Sequence, residues 1–224
     1  MGECVRRCEG LATARGSEHP GVMMELAMLH AMTGAFAEAR ALNERARTAF
    51  IERIRVRRMQ MFLAQSTAIV ELLAGDRGAA ERELRVALDF ANESEERDHI
   101  SQCAARLASV VRANGRSEEA ARYASLSTEA APLDGAAAQA LSKAAMARTA
   151  SAAGDHGEAD RLSRAAVDVA PEEMPNLCAE VLGDRAEILL VGGQAKAATE
   201  TAREAARLFS AKGNTEQSAL LDEL

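Results

Sequence analysis

The apolar positions of the chain repeat with a period close to 40 residues. Glycines at positions 34, 75, 115, 154 and 193 are separated by 41, 40, 39 and 39 residues. We expect about 13 residues before each glycine to form a helix, called A here, and about 16 residues after it to form a second helix, B. The pattern therefore predicts a stack of helical hairpins.

Small residues accompany each glycine at three fixed distances, and we call these positions the alanine ladders. Seven residues before the glycines stand Ala27, Ala68, Ala108, Ala147 and Ala186. Five residues after them stand Ala39, Ala80, Ala120, Ala159 and Ala198. Twelve residues after them stand Ala46, Ala87, Ser127, Ala166 and Ala205. Small side chains allow two helices to pack at a short interaxial distance, so the ladders predict the line along which A and B meet.

The glycines themselves predict tight turns. A left-handed glycine closes the last turn of a helix without a Cβ clash. Asp76 and Asp155 follow their glycines directly and suit the N-cap of helix B, and Asp155 with Glu158 has the spacing of a capping box. Pro132 and Pro171 predict the end of two B helices. A phosphate-binding loop is disfavoured because the lysine of the GxxxxGK[ST] motif is absent.

These features resemble the tetratricopeptide (TPR) repeat, which has small residues in both helices, a glycine at the turn and a terminal proline. The resemblance covers about residues 20–224, although the period exceeds the ~34 residues of that repeat. The last hairpin, "DRAEILLVGGQAKAATETAREAARLFSAKGN", is also similar to C-terminal repeat regions of bacterial class III nucleotide cyclases and large ATPase-type transcription regulators. The resemblance implies an all-α, right-handed TPR-like solenoid of about five hairpins with partial end helices.

We expect one repeat domain over residues 1–224. Its parts are an orphan N-terminal helix at 1–18, hairpins at 19–52, 53–93, 94–132, 133–171 and 172–212, and a capping helix at 213–224. The orphan helix would leave an open end, through which two copies of the chain could form a homodimer.

Composition agrees with an all-α protein and narrows the classes of partner. Aromatic residues make up 3% of the chain and tryptophan is absent, which disfavours strands. The net charge of −7 argues against a nucleic-acid partner, although residues 1–60 hold 10 arginines against 7 glutamates. Four cysteines without a CxxC pair are typical of a reducing cytoplasm. The lack of an apolar run of about 18 residues argues against a membrane partner.

The sequence carries no catalytic motif, and we predict a protein that is not an enzyme and binds no cofactor. The turn at 154–160 gathers Asp155, His156, Glu158 and Asp160, but capping accounts for that position. Cys4 and Cys8 share a helix face without a third metal ligand nearby. We therefore predict no metal site.

The TPR resemblance implies that the A helices line a concave groove. The groove positions it assigns are Met24, Met28, Met32, Phe62, Gln65, Ile69, Arg112 and Arg148. Arg53 and Arg57 would add attraction for an acidic flank of a partner. The three methionines have two interpretations, a binding wall or a buried helix face, and the sequence leaves both open.

The favoured function is a non-enzymatic scaffold or regulatory interaction domain that binds a protein or peptide segment. The alternative is a module of a bacterial signalling or transcription regulator that senses a small apolar ligand between the methionines and the N-terminal helix.

Overall fold

The computed structural model describes residues 19–50 and 57–222, and these residues form eleven α-helices. The helices are α1 Pro20–Met32, α2 Phe36–Ala49, α3 Arg57–Leu73, α4 Arg77–Glu93, α5 Arg97–Ala113, α6 Ser117–Ala130, α7 Ala136–Ala152, α8 His156–Val169, α9 Pro175–Val191, α10 Ala195–Lys212 and α11 Thr215–Asp222. No helix within these ranges combines the length and apolar character needed to cross a membrane. The expected helix at 1–18 lies outside the described residues.

The chain divides into two compact units, Met1–Ser94 and Glu95–Leu224. In the first unit α1 pairs with α2 and α3 with α4, and the A helices α1 and α3 are neighbours. In the second unit α5 pairs with α6, α7 with α8 and α9 with α10, and the A helices α5, α7 and α9 adjoin one another. The expectation of a single domain over the whole chain stays a prediction.

The long period arises from long helices. The A helices α3, α5, α7 and α9 each have 17 residues, and the B helices have between 14 and 18. The prediction of about 13 residues for helix A is correct only for α1. The extra turn in the later A helices lengthens the exposed face that each of them can offer.

The repeated glycines occupy the left-handed turns that the sequence predicts. Their φ angles lie between 75° and 83°. A Cβ atom added at Gly75, Gly115, Gly154 or Gly193 would meet no atom within 4 Å, so the backbone angle rather than space requires glycine there.

Two aspartates cap B helices as predicted. Asp76 accepts a hydrogen bond from the Ala79 amide at 2.9 Å, and Asp155 accepts one from the Glu158 amide at 3.0 Å. The capping-box prediction is wrong in its second half, because the Glu158 carboxylate accepts hydrogen bonds from Arg161 instead of reaching back.

All fifteen residues of the alanine ladders are buried, and none is more than 5% exposed. The one polar member, Ser127, meets a matching side chain: the Ser101 hydroxyl donates to the Ser127 carbonyl at 2.8 Å, and the two hydroxyl oxygens are 3.2 Å apart. A buried hydroxyl without such a partner would destabilise the fold. The ladders are therefore the contact lines of the hairpins.

The two prolines end their helices as the sequence predicts. Helix α6 ends at Ala130 and α8 at Val169, two residues before Pro132 and Pro171 respectively. The intervening residues, Ala131 and Ala170, have ψ angles of 116° and 128°, the extended geometry that a following proline favours.

Replacing a ladder alanine should overpack its hairpin. Ala108 lies in a cluster with Ala105, Ala124 and Leu141, so we expect Ala108→Leu to lower the free energy of unfolding by ~1–3 kcal/mol. Ala113→Leu, at an exposed position of the same helix, is the control and should change little. Urea unfolding followed by circular dichroism measures both, and equal stability of the two variants would contradict the ladder role.

A second stability prediction follows from the backbone conformation of Glu95. It has a φ of 55° in the turn that joins α4 to α5, a left-handed conformation unfavourable for any residue with a Cβ atom. We expect Glu95→Gly to raise the free energy of unfolding by about 0.5–1 kcal/mol. Glu96→Gly is the matched control, since Glu96 has a φ of −82° and should gain nothing from glycine. A gain of equal size in both variants would show that loss of charge, rather than relief of strain, is responsible.

Candidate functional site

The middle of helix α3, from Met61 to Glu71, is buried on all sides but one. Between Met61 and Glu71 every residue is buried except Phe62, Gln65 and Ile69, which are partly exposed. These residues follow one another at three- and four-residue spacing and so lie on one face of the helix. Together with Arg58 and Leu72, which continue the same spacing, we call them the α3 stripe.

The predicted methionine wall of α1 is divided between core and surface. Met32 is buried, with 4% of its surface exposed, so it offers no surface to a partner. Met24 is partly exposed and packs against a core cluster that contains Met23, Phe50 and Leu63. Met28 is also partly exposed and lies on the A helix that adjoins α3.

Arg58 gives the α3 stripe a positive charge, whereas Arg53 and Arg57 were predicted from the sequence for this role. The guanidinium carbon of Arg58 lies 5.8 Å from the centre of the Phe62 ring, within cation–π range. Arg53 lies outside the described residues, and Arg57 begins α3 without a described side chain. Arg58 is four residues before Phe62, and this helical spacing could have identified it from the sequence.

In the second unit ion pairs join the adjoining A helices α5, α7 and α9, and we call the face that carries these ion pairs the A-helix wall. Arg106 of α5 reaches Glu180 of α9, with 3.2 Å between the guanidinium nitrogen and the carboxylate oxygen. Helix α7 lies between these two helices, and its residues Leu141 and Ala145 are buried. The Arg106–Glu180 ion pair therefore joins the first and third helices of this wall across α7.

Arg148 of α7 takes part in the same wall. It forms ion pairs with Asp184 and Glu187 of α9, at 2.8 Å to Glu187, and its side chain is 13% exposed. Desolvation lowers the pKa of Arg148, but the attraction of Asp184 and Glu187 more than offsets this, and the pKa lies above its ordinary value. Its charge is therefore neutralised within the protein.

Arg112 lies near Arg148. Both line a narrow cleft with Ala108, Ser109, Ala120, Ala145 and Thr149. The cleft has no internal space that a water molecule could occupy, so its present shape does not accommodate a small molecule.

Three members of this wall were missed by sequence reasoning: Arg106, Glu180 and Asp184. Arg106 lies nine residues before its glycine and Glu180 lies thirteen before its own, two repeats later. Opposite charges at neighbouring A-helix positions in repeats n and n+2 are the signal that could have identified the pair. The two side chains meet only because of the way in which α5, α7 and α9 are arranged.

The turn that could hold a metal is engaged in other contacts. Asp155 caps α8, the Glu158 carboxylate contacts Arg161, and Asp160 forms ion pairs with Arg164 and Arg185. Within the described residues no group of three or more histidine, cysteine, aspartate or glutamate side chains is arranged to hold a metal ion. Cys4 and Cys8 lie outside those residues.

Comparison with solved structures identifies the fold. The chain is similar to BtubC (BKLC) from P. vanneervenii, with a TM-score of 0.60 and 18% identity over 93% of this chain and 87% of that one. It is also similar to a Podosopora anserina putative kinesin light chain with nearly identical TPR-like repeats, with a TM-score of 0.54 and 21% identity over 87% and 98% of the two chains. No protein-family model and no curated protein sequence matches the chain.

These likenesses confirm the predicted resemblance: the protein has an all-α, TPR-like helical repeat fold. Stacked helical repeats form extended surfaces that are suited to binding.

The ion pairs of Arg148 predict a large, specific effect on stability. Arg148→Met should lower the free energy of unfolding by roughly 2–4 kcal/mol, because it leaves Asp184 mostly buried beside no cation. Adding Asp184→Asn to that variant should restore part of the loss. Arg161→Met, which removes an exposed pair with Glu158, is the control and should leave the melting temperature unchanged. If Arg148→Met and Arg161→Met melt alike, Arg148 does not hold the wall together.

Proposed function

We propose that the protein is a non-enzymatic scaffold that binds a segment of a partner protein on the A-helix face of its first unit. The binding surface consists of Met24 and Met28 of α1 and Phe62, Gln65 and Ile69 of α3. The observation that carries this proposal is the α3 stripe, which places Phe62 and Ile69 on the one face that stays open to solvent between Met61 and Glu71.

A comparison of the A-helix faces of the two units favours the first unit as the place where a partner binds. Its equivalent wall is occupied by the ion pairs of Arg106 and Arg148 with α9, so a partner there would have to compete with contacts already made. In the first unit the exposed face of the A helices is largely apolar. A partner on that face would remove apolar surface from water.

The chemistry of the surface suits a short apolar segment. Burial of apolar surface supplies about 25 cal/mol per Å² before the costs of association, and methionine adapts its shape to different apolar side chains. Gln65 lies between Phe62 and Ile69 and is a polar member of this surface. Arg58, with Arg53 and Arg57 nearby in sequence, would attract an acidic flank and mainly raise the association rate.

The alternative function, sensing of a small apolar ligand, depends on the same methionines. Met32 is buried and Met24 packs partly on core residues, so their surfaces are already largely used. A linear segment needs only the exposed parts of Met28, Phe62 and Ile69. Among the described residues no contact or cavity favours the small-ligand alternative over the peptide.

The test uses peptides selected from a displayed library of random 12-residue sequences on the unmodified protein. Met28→Glu and Ile69→Glu should each weaken binding of the selected peptides at least tenfold, because a carboxylate would have to be desolvated in an apolar contact. Fluorescence anisotropy measures the affinities, and circular dichroism measures the melting temperatures, which should fall by no more than about 2 °C.

Val86→Glu is the matched control, since Val86 is an exposed apolar residue on the B helix α4 of the same hairpin. It should bind the peptides like the unmodified protein. If all three variants lose binding alike, the selected peptides recognise charge rather than this surface. If Met28→Glu and Ile69→Glu melt several degrees lower, the two residues are core and the proposal fails.

A further inference from the structure

One edge of the second unit carries acidic and apolar side chains together. It consists of the segments that join α6 to α7 and α8 to α9, residues 128–136 and 167–176, which contain no lysine or arginine. Their acidic residues are Glu129, Asp134, Asp168, Glu172 and Glu173. The two segments lead into the neighbouring A helices α7 and α9, so they lie at the same end of the unit. We call this surface the acidic edge.

The five carboxylates of the acidic edge are unpaired. None of them makes an ion pair or a side-chain hydrogen bond with any residue that the structure describes. Elsewhere in the second unit many acidic residues are paired, as Asp160 is with Arg185 and Asp184 with Arg148. One cation does reach this edge, since the Arg97 guanidinium donates a hydrogen bond to the main-chain carbonyl of Glu129 at 2.6 Å. The five carboxylates still outnumber that cation.

Two of these carboxylates occupy positions that disfavour them. Glu129 is the second-last residue of α6 and Asp168 the second-last of α8, and neither helix has a basic residue in its last turn. The C-terminal end of a helix carries partial negative charge, which repels an acidic side chain. For Asp168 helix stability therefore gives no reason for an acidic residue, whereas the Arg97 guanidinium at the last turn of α6 reduces the repulsion at Glu129.

Apolar side chains project from the same edge. Leu133 is 99% exposed, Met174 46% and Val169 36%. The loop that presents Leu133 is well fixed, because the Pro132 carbonyl accepts hydrogen bonds from the Gln139 side chain at 3.0 Å and from the Gly135 amide at 3.1 Å. Leu133 is therefore exposed in a loop whose conformation is fixed by these hydrogen bonds.

We propose that the acidic edge docks a cationic amphipathic helix of another protein, at a site separate from the groove surface of the first unit. Lysine or arginine residues of that segment would pair with the five carboxylates, and its apolar side chains would cover Leu133 and Met174. Neighbouring helices pack about 8–10 Å apart, a distance that two apolar residues seven positions apart on a helix span. Charge complementarity decides the class of partner, because an apolar segment without cations would leave the carboxylates partly desolvated and unpaired.

The test measures affinity and stability together. The probe is a fluorescein-labelled, 18-residue designed helix with leucines seven residues apart and lysines on either side of them. The double variant Glu129→Gln/Asp168→Asn should bind the probe at least tenfold more weakly while its melting temperature rises by about 1–3 °C. Leu133→Ser should weaken binding at least fivefold, and raising the salt from 50 to 300 mM should weaken binding to the unmodified protein.

The matched control removes two carboxylates from the same unit at another place. Glu200→Gln/Glu204→Gln, both exposed on α10, should keep the affinity within twofold. Equal weakening by both double variants would overturn the proposal, because net charge alone would then explain binding. An unchanged affinity of Leu133→Ser would overturn the apolar contact.

Concentration-dependent self-association that Glu129→Gln/Asp168→Asn abolishes would assign the edge to a second copy of this chain instead. Met28→Glu should bind this probe normally, which separates the outcome from that of the groove proposal.

Discussion

The close approach of paired helices at the alanine ladders is the contact on which the rest of the structure depends. Alanine side chains contribute little apolar area each, so the hairpins gain stability from short interhelical distance and dense packing. All fifteen ladder positions are buried, and the serine that interrupts one ladder has its own hydrogen-bond partner. The glycine turns serve this contact, because they reverse the chain immediately beside it.

Tight packing of the A helices also determines what they can offer to a partner. When a helix such as α3 is surrounded by neighbours, only one narrow stripe of its side chains remains open to solvent. The identity of a few residues on that stripe then decides its use. In the first unit they include Phe62 and Ile69, whereas in the second unit the corresponding wall contains arginines and acidic residues that pair with each other.

Much of the fold could be predicted from the sequence because the repeated residues reflect local requirements of the turns and of the helix contacts. A left-handed turn needs glycine and a close helix contact needs alanine, so both appear as residue types at fixed spacing. The period of about 40 residues showed that each repeat is long, but not that the A helices carry the extra length, and the left-handed turn at Glu95 left no marker. The site was less predictable, since burial of Met32 and the bond between Arg106 and Glu180 depend on how neighbouring helices lie. Residue spacing within one helix does not contain that information.

The central claim is that the open side of the first unit's A helices receives a partner segment. Nuclear magnetic resonance of methyl-labelled methionine tests it directly, because the chain has nine methionines that report on different places. On addition of a selected 12-residue peptide, we predict that the Met28 and Met24 methyl resonances shift while those of buried Met32 and of Met174, on the acidic edge, do not. A spectrum in which Met28 stays fixed while the peptide is bound would contradict the account.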